Sequence, residues 1–484
     1  MNWTWIDWPL LGPEIIVLIT ALLVFGLDLI WGEESEREVL GGLGILGLSA
    51  AFYATISLGE GELFGHLYVI DSLSVFSKQV LLGIAILIIM SSFDYIKGNT
   101  KYEGEYYGLL LLATLGMMLI SSAAELITIF ISLELATLTC IVLAAYFKHE
   151  PKSTEAGVKY LLVGLVSAVI LLYGISLLYG LTGTTVLYEI AGSIRNYSTQ
   201  PILFISCIFL TAGFGFKIAS VPFHMWAPDT YEGAPTPITA FLATASKVAG
   251  FVILLRFFVG GLGDVESHWI PIMAVLAVLS MSIGNLSAIP QTDIKRMLAY
   301  SSIAHAGYIL IGLAVTSRLS LASVLFYLLA YATANLGAFL VIIAFSKHSG
   351  LHTISDYAGL SKRSPLLALG MLLSLVSLAG IPPLGGFIGK FYIFAGAISE
   401  ALSAERLWLI GLPVCGVIFS IVSVYYYFRV IKAMYLVEPI DPQPIPISLP
   451  LGLALLISVL LTLLLGIYPN PFLSLAQSAI QSIF

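Results

Sequence analysis

Phe216-Lys217-Ile218-Ala219-Ser220-Val221-Pro222-Phe223-His224-Met225-Trp226-Ala227-Pro228-Asp229 follows an uncharged apolar run that begins at Pro201. A helix started there cannot pass through Pro222, because proline has no N–H to donate and its ring collides with the preceding turn. The helix must stop in mid-course and leave Lys217 just before the stop. The same pattern returns at Ile381-Pro382-Pro383-Leu384-Gly385-Gly386, inside the apolar stretch 365–403, with Lys390 a few residues beyond. Two interrupted apolar helices, each with a lysine at its interruption, define the architecture sought in the rest of the chain.

Composition places both stretches in a membrane. The 484 residues are 59% hydrophobic and only 10% charged, against about 25% charged in a soluble domain, and the mean hydropathy is +0.99. Spans of about 20 apolar residues are predicted near 9–30, 39–58, 72–96, 106–122, 125–147, 156–180, 201–220, 236–258, 270–289, 297–316, 321–346, 365–403, 408–434 and 448–468. That is an all-α polytopic membrane protein with about fourteen transmembrane helices, the seventh and twelfth broken. The N-terminal stretch lacks the positive n-region of a secretory signal, since the first basic residue is Arg37, and it reads as a retained span. The net charge of −7 comes without any basic run, which excludes nucleic-acid binding. Cys140, Cys207 and Cys415 are far apart and each lies in an apolar stretch. They read as small fillers, so neither a metal nor a redox centre is expected in the chain.

Basic residues orient the loops. Those after odd-numbered helices carry Arg37, Lys97, Lys101, Lys148, Lys152, Lys295, Arg296, Lys347, Lys362, Arg363, Arg429 and Lys432; those after even-numbered helices carry only Arg195, Arg256, Arg318 and Arg406. By the positive-inside rule the first set is cytoplasmic and both termini face outside. If helices 4–8 and 9–13 are repeats, the two breaks correspond. Five helices is an odd number, so the second repeat is inverted, an architecture of transporters. The expected segments are 1–105 (helices 1–3), 106–260 (first repeat), 261–436 (inverted second repeat) and 437–484 (helix 14).

Lys78, Lys159, Lys217, Lys247 and Lys390 remain inside predicted helices. A charge at the bilayer centre costs about 3 kcal/mol on insertion scales, and such residues line water or pair with one another. Lys217 and Lys390 adjoin the breaks and Lys247 lies at midspan of helix 8. Glu134, near the middle of helix 5, has no basic neighbour within a turn, so the buried lysines are its candidate partners. His305 in helix 10 has the pKa range of a proton relay, although a lone helical histidine is as readily a hydrogen-bonded core residue. Lys159 is expected to pair with Glu155 at i,i+4, Lys78 to snorkel, and Glu14, Asp28, Asp94 and Glu125 to be structural. His224 and Asp229 serve either the geometry of the first break or proton transfer. Burial and a nearby carboxylate push a lysine's proton affinity in opposite directions. Glu134, Lys217, Lys247, His305 and Lys390 can therefore form a gated proton wire. With no nucleotide loop, metal cluster or flavin motif in the chain, the driving energy must come from another subunit or an ion gradient.

The run from Phe216 continues Thr230-Tyr231-Glu232-Gly233-Ala234-Pro235-Thr236-Pro237. As a whole it resembles the proton-translocating module of respiratory complex I (NADH-quinone oxidoreductase) and of Mrp antiporters, the antiporter-like membrane subunit family. The form His224-Met225-Trp226-Ala227-Pro228-Asp229 with Tyr231-Glu232-Gly233-Ala234-Pro235 is similar to the subunit N branch. Lys390 in place of a glutamate argues against subunit M, and no C-terminal lateral helix of the subunit L kind is predicted. The resemblance implies proton transfer through Glu134, Lys217, Lys247 and Lys390, with His305 matching less closely. It implies quinone reduction elsewhere in a complex driven by NAD(P)H or ferredoxin. Flavin, iron–sulfur clusters and quinone are expected in partner subunits and no cofactor in this chain. The expected partners are M-, L-, K-, J-, A- and H-type membrane subunits and a peripheral redox arm. The expected location is the bacterial cytoplasmic membrane, or the thylakoid membrane of a photosynthetic source. The alternatives are a subunit of a multi-subunit Mrp-type cation/proton antiporter and a scaffold whose buried charges only fix packing.

Overall fold

The computed structural model describes residues 7–31, 37–97, 99–439, 441 and 443–482. The outermost residues, 1–6 and 483–484, on which the expectation of outward-facing termini falls, lie outside the described residues. In hydrocarbon every backbone N–H and C=O must be satisfied within its own segment, which makes the apolar runs helical. In chain order these are α1 (Gly12–Ile30), α2 (Glu38–Ile56), α3 (Ser72–Ile96), α4 (Glu103–Ser122), α5 (Leu126–Ala144), α6 (Pro151–Thr182), α7 (Leu187–Ser193), α8 (Pro201–Lys217), α9 (Trp226–Gly233) and α10 (Thr236–Leu254). There follow α11 (Glu266–Ala288), α12 (Ile294–Val315), α13 (Arg318–Ser349), α14 (Leu360–Arg363), α15 (Pro365–Ala379), α16 (Gly385–Ser403), α17 (Gly411–Leu436), α18 (Leu449–Ile467) and α19 (Asn470–Gln481). Among the described residues twelve helices are long and apolar enough to cross a membrane. The interrupted spans α8–α9 and α15–α16 bring the bundle to the predicted fourteen.

The two repeats are visible in matched detail. α6 and α13 each have 32 residues and each ends on a left-handed glycine, Gly183 (φ +72°) and Gly350 (φ +69°). Glu125 caps α5 and bridges to Val186 beyond α6; Asp293 caps α12 and bridges to Thr353 beyond α13. α4 packs on α5 as α11 packs on α12, α6 lies along both α8 and α9 as α13 lies along both α15 and α16, and α10 closes on α4 as α17 closes on α11. Equivalent helices are five spans apart, an odd number, so the second repeat is inverted relative to the first.

Several expectations are corrected. Lys78 does not snorkel: it is fully buried and paired with Glu14 at 2.8 Å, near the start of α1. Arg256 and Lys295, counted as loop residues, are buried. α10 runs on through a π-helical turn, Leu255–Gly261, that carries Arg256 to Asp71, and Lys295 reaches the carbonyl of Ala234 at 3.0 Å. Hydropathy also missed three polar-flanked elements: the hairpin β1 (Gly61–Leu63) with β2 (Tyr68–Ile70), the short α7, and the amphipathic α19, which packs on α3 and α13. Each is too short or too polar to register as a span.

Candidate proton-transfer site

Lys217 is the last residue of α8. Its buried ammonium donates to the Thr137 hydroxyl of α5 at 3.1 Å. Glu134 lies one turn earlier on α5, half-buried. Among the described residues it makes no hydrogen bond or ion pair, and Lys217 acts on it through charge alone. Counted from the two matched caps, Thr137 and His305 each stand twelve residues in. The repeat therefore sets His305 against Thr137 rather than Glu134.

Each break exposes the carbonyl end of a half-helix. The last carbonyls of a helix lack intrahelical partners and mark the negative end of its dipole. Lys247, on a helix with every residue buried, donates to the carbonyl of Ile218, the residue capping α8. Lys390 donates to Leu378 at 3.1 Å and Ala379 at 3.3 Å, the last two residues of α15. Thus each break holds an ammonium that arrives from a different helix segment. Gly380 makes room at the second: its φ is +82°, and a β-carbon there would lie 3.0 Å from Lys390 Cδ. At the first, Ala219 takes φ +51°, a left-handed conformation costing on the order of 1 kcal/mol that the surrounding packing must hold.

His305 joins the two. Its Nδ1 is 2.6 Å from the Tyr327 hydroxyl and its Nε2 3.1 Å from that of Tyr427, which also meets Ser301. The Tyr331 ring lies 5.0 Å from the imidazole, and its hydroxyl donates at 3.0 Å to the carbonyl of Ala243, one turn before Lys247. On the other side Tyr308 is 5.6 Å from His305, and its ring lies 4.6 Å beneath the Lys390 ammonium. The Tyr308 hydroxyl accepts from Asn285 at 3.1 Å. Thr137, Lys217, the Ile218 carbonyl, Lys247, Tyr331, His305, Tyr308 and Lys390 thus lie along one line, hydrogen-bonded at its two breaks and joined around His305 by ring contacts. Beyond Lys390 a cavity of about 450 Å³, bordered by Gly380, Phe391, Phe394, Ser420 and Ile421, opens on the outside of the bundle. Sequence reasoning missed the tyrosines. A signal was present: Tyr327, Tyr331 and Asn335 recur every four residues, which places them on one face of a helix.

At the end of α9 a second ionic cluster closes the bundle. Asp229 meets Lys159 at 2.7 Å and Arg296 at 2.5 Å, and Glu232 meets Lys152 at 3.0 Å and Arg296 at 3.1 Å. These contacts pin the second half of the broken helix to α6 and α12. The predicted Lys159–Glu155 pair is present at 2.7 Å. His224 is half-buried, beside the break. In the loop after α13, burial and the charges of Lys295 and Lys152 push His352 down to about 3, so it is neutral at physiological pH. Among the described residues no group of His, Cys, Asp and Glu is placed to hold a metal.

Residues 123–420, which span the whole of this line, match the family described as NADH:quinone oxidoreductase/Mrp antiporter, TM. The NADH-quinone oxidoreductase subunit N of Heliobacterium modesticaldum is 46% identical over 474 residues, 96% of this chain and 98% of that protein. A chain of respiratory complex I from Thermus thermophilus superposes with a TM-score of 0.79 at 30% identity, covering 96% of this chain and 98% of its own. A chain of the Mrp complex from Dietzia shares the fold (TM-score 0.81, 96% of that chain, 99% of this one) at 21% identity. The chain belongs to the antiporter-like membrane subunits of NADH:quinone oxidoreductase, in the subunit N family.

Proposed function

We propose that this chain moves protons across a membrane through Glu134, Lys217, Lys247, His305 and Lys390, coupled to quinone reduction elsewhere in a complex I-type assembly. The observation that carries the reading is the pair of ammonium groups, Lys247 and Lys390, each seated on the carbonyl end of a broken half-helix and linked through His305 and its tyrosines. A lysine held by backbone carbonyls can release and regain a proton without losing its seat. Hydroxyls and imidazole supply groups that both donate and accept between the seats. Segments 106–260 and 261–436 are the two working repeats, with 1–105 and 437–484 flanking them.

The partners in this reading are M-, L-, K-, J-, A- and H-type membrane subunits and a redox arm that holds flavin, iron–sulfur clusters and quinone. The membrane is the bacterial cytoplasmic membrane, or the thylakoid membrane in a photosynthetic source, with both termini outside. An Mrp-type antiporter is the weaker reading, because that likeness rests on fold at 21% identity while the 46% relative is a quinone oxidoreductase subunit.

Lys247→Met tests the proposal in the reconstituted complex. Methionine keeps the apolar volume and removes both the transferable proton and the burial cost of a charge. The complex assembles, while pumping and coupled electron transfer fall together. Normal pumping by this variant would overturn the route.

A further inference from the structure

Outside this line the described residues bury a further set of charges where the helices before the repeats meet the end of α10. Lys78 of α3 and Glu14 of α1 form an ion pair of 2.8 Å in which neither side chain is more than 5% exposed. The Tyr68 hydroxyl of β2 donates to Glu14 Oε1 at 2.9 Å, and the Lys78 ammonium lies 5.3 Å from the Tyr68 ring centre. Asp71, which caps α3, receives both arms of Arg256 at 2.8 and 2.9 Å, and Arg256 also donates to the Ser121 carbonyl at 2.9 Å. All four charges lie at one end of the bundle, where α1 and α3 begin and α10 ends. The β1–β2 hairpin packs there through Leu63, Tyr68 and Ile70 against Leu10.

The two pairs differ in kind. Asp71–Arg256 is a fork-to-fork contact, and a guanidinium does not give up its proton, so its charges are fixed. Glu14–Lys78 joins two groups that can both change protonation. Glu14 Oε2 is buried and has no hydrogen-bond partner among the described residues. The charged groups facing this pair are Asp71 on α3, Arg256 on the turn after α10, and the titratable phenol of Tyr68 on β2.

We propose that Glu14 and Lys78 form a further proton-holding pair of this subunit. A proton from water at that end of the bundle bonds to Glu14 Oε2, taking the pair from neutral to a single positive charge. Breaking the same O–H bond returns the proton to water. The fixed Arg256–Asp71 contact lies at the same end of the bundle, on the turn after α10 nine residues beyond Lys247, about 13 Å along the helix. The proposal rests on the reading of the chain as a proton carrier and extends that reading to helices outside both repeats.

Infrared difference spectra of the reconstituted complex, taken across a pH titration in H₂O and D₂O, test it. The expected result is a buried carboxylic-acid C=O band that shifts in D₂O, is lost in Glu14→Gln and persists in Glu134→Gln. Tyr68→Phe leaves the carboxyl in place and removes the hydrogen bond to Oε1, so the band moves to higher frequency. This second variant gives the answer if Glu14→Gln does not assemble. An unchanged band in both variants, or in Tyr68→Phe alone where only that complex assembles, overturns the proposal. The band is read whether or not the complex pumps. A titrating Glu14 in a complex whose Lys247→Met form pumps normally sinks the route through Lys247 alone, and a silent Glu14 beside a Lys247→Met form that does not pump sinks this pair alone.

Discussion

Lys217 and Thr137 are joined by a 3.1 Å hydrogen bond, while Glu134, one turn back on the helix of Thr137, stays within reach of the ammonium's charge but not of its protons. In the proposed route the hydroxyl fixes where the lysine sits and the carboxylate tunes how firmly it holds its proton. Positioning and tuning are thereby assigned to different side chains.

That division separates two variants. Glu134→Gln leaves the Lys217–Thr137 bond intact, so the complex assembles in normal amount and pumping under load falls; Glu134→Asp is milder because the charge survives. Thr137→Val strands a buried ammonium without its acceptor, at a cost of about 1–3 kcal/mol, so the amount of assembled subunit falls as well. Equal pumping by wild type and Glu134→Gln in proteoliposomes would refute the tuning role.

Lys390 distinguishes charge from proton release. Lys390→Arg keeps a cation that can donate to the Leu378 and Ala379 carbonyls but does not deprotonate. The expected outcome is an assembled complex that does not pump, with Lys390→Glu recovering part of the activity because a titratable group returns. Full pumping by the arginine form, measured on reconstituted complex, would take Lys390 out of the path.

Gly386 is where the second break folds back on itself. A β-carbon there would lie 1.9 Å from the Ser377 carbonyl oxygen, a backbone atom that cannot yield. Gly386→Ala therefore costs about 1–3 kcal/mol or more and lowers the amount of subunit retained in purified complex. Gly411→Ala, with nothing within 4 Å of the new carbon, leaves it unchanged.

Orientation is tested at Glu150, in the loop before α6. A cysteine placed there should resist a membrane-impermeant maleimide added to intact cells and react once the cells are opened. Efficient labelling from outside would invert the topology.

The spans, both breaks and the inverted repeat could be read from sequence because hydrocarbon forces helices and proline interrupts them, and both signals are local. Lys217, Lys247 and Lys390 stood out for the same reason: each is a charge inside an apolar run. What sequence could not show is contact between distant segments. Nothing near Lys78 in the chain announces Glu14, 64 positions earlier. Arg256 looked like a loop residue because a π-helical turn carries α10 past its apparent end. The tyrosines around His305 are uncharged, so no charge marks them in an apolar run; only Tyr327 and Tyr331 share a four-residue spacing, along α13.

The carbonyl seats of Lys247 and Lys390 have one more consequence, for work against the membrane voltage. α8 is about 25 Å long and α15 about 22 Å, so on the proposed topology, with the two entering from opposite faces of a bilayer 40–45 Å thick with its headgroups, both seats fall near the middle. On the proposed route a proton passing from Lys247 to Lys390 thus moves mainly sideways, between points of similar electrical potential. Such a step gains or spends little of the roughly 2.3 kcal/mol that each charge exchanges with a 100 mV field on a full crossing. Nearly all of that exchange falls on the entry and exit legs. Voltage therefore bears on which face fills and empties the line, and hardly at all on traffic along it.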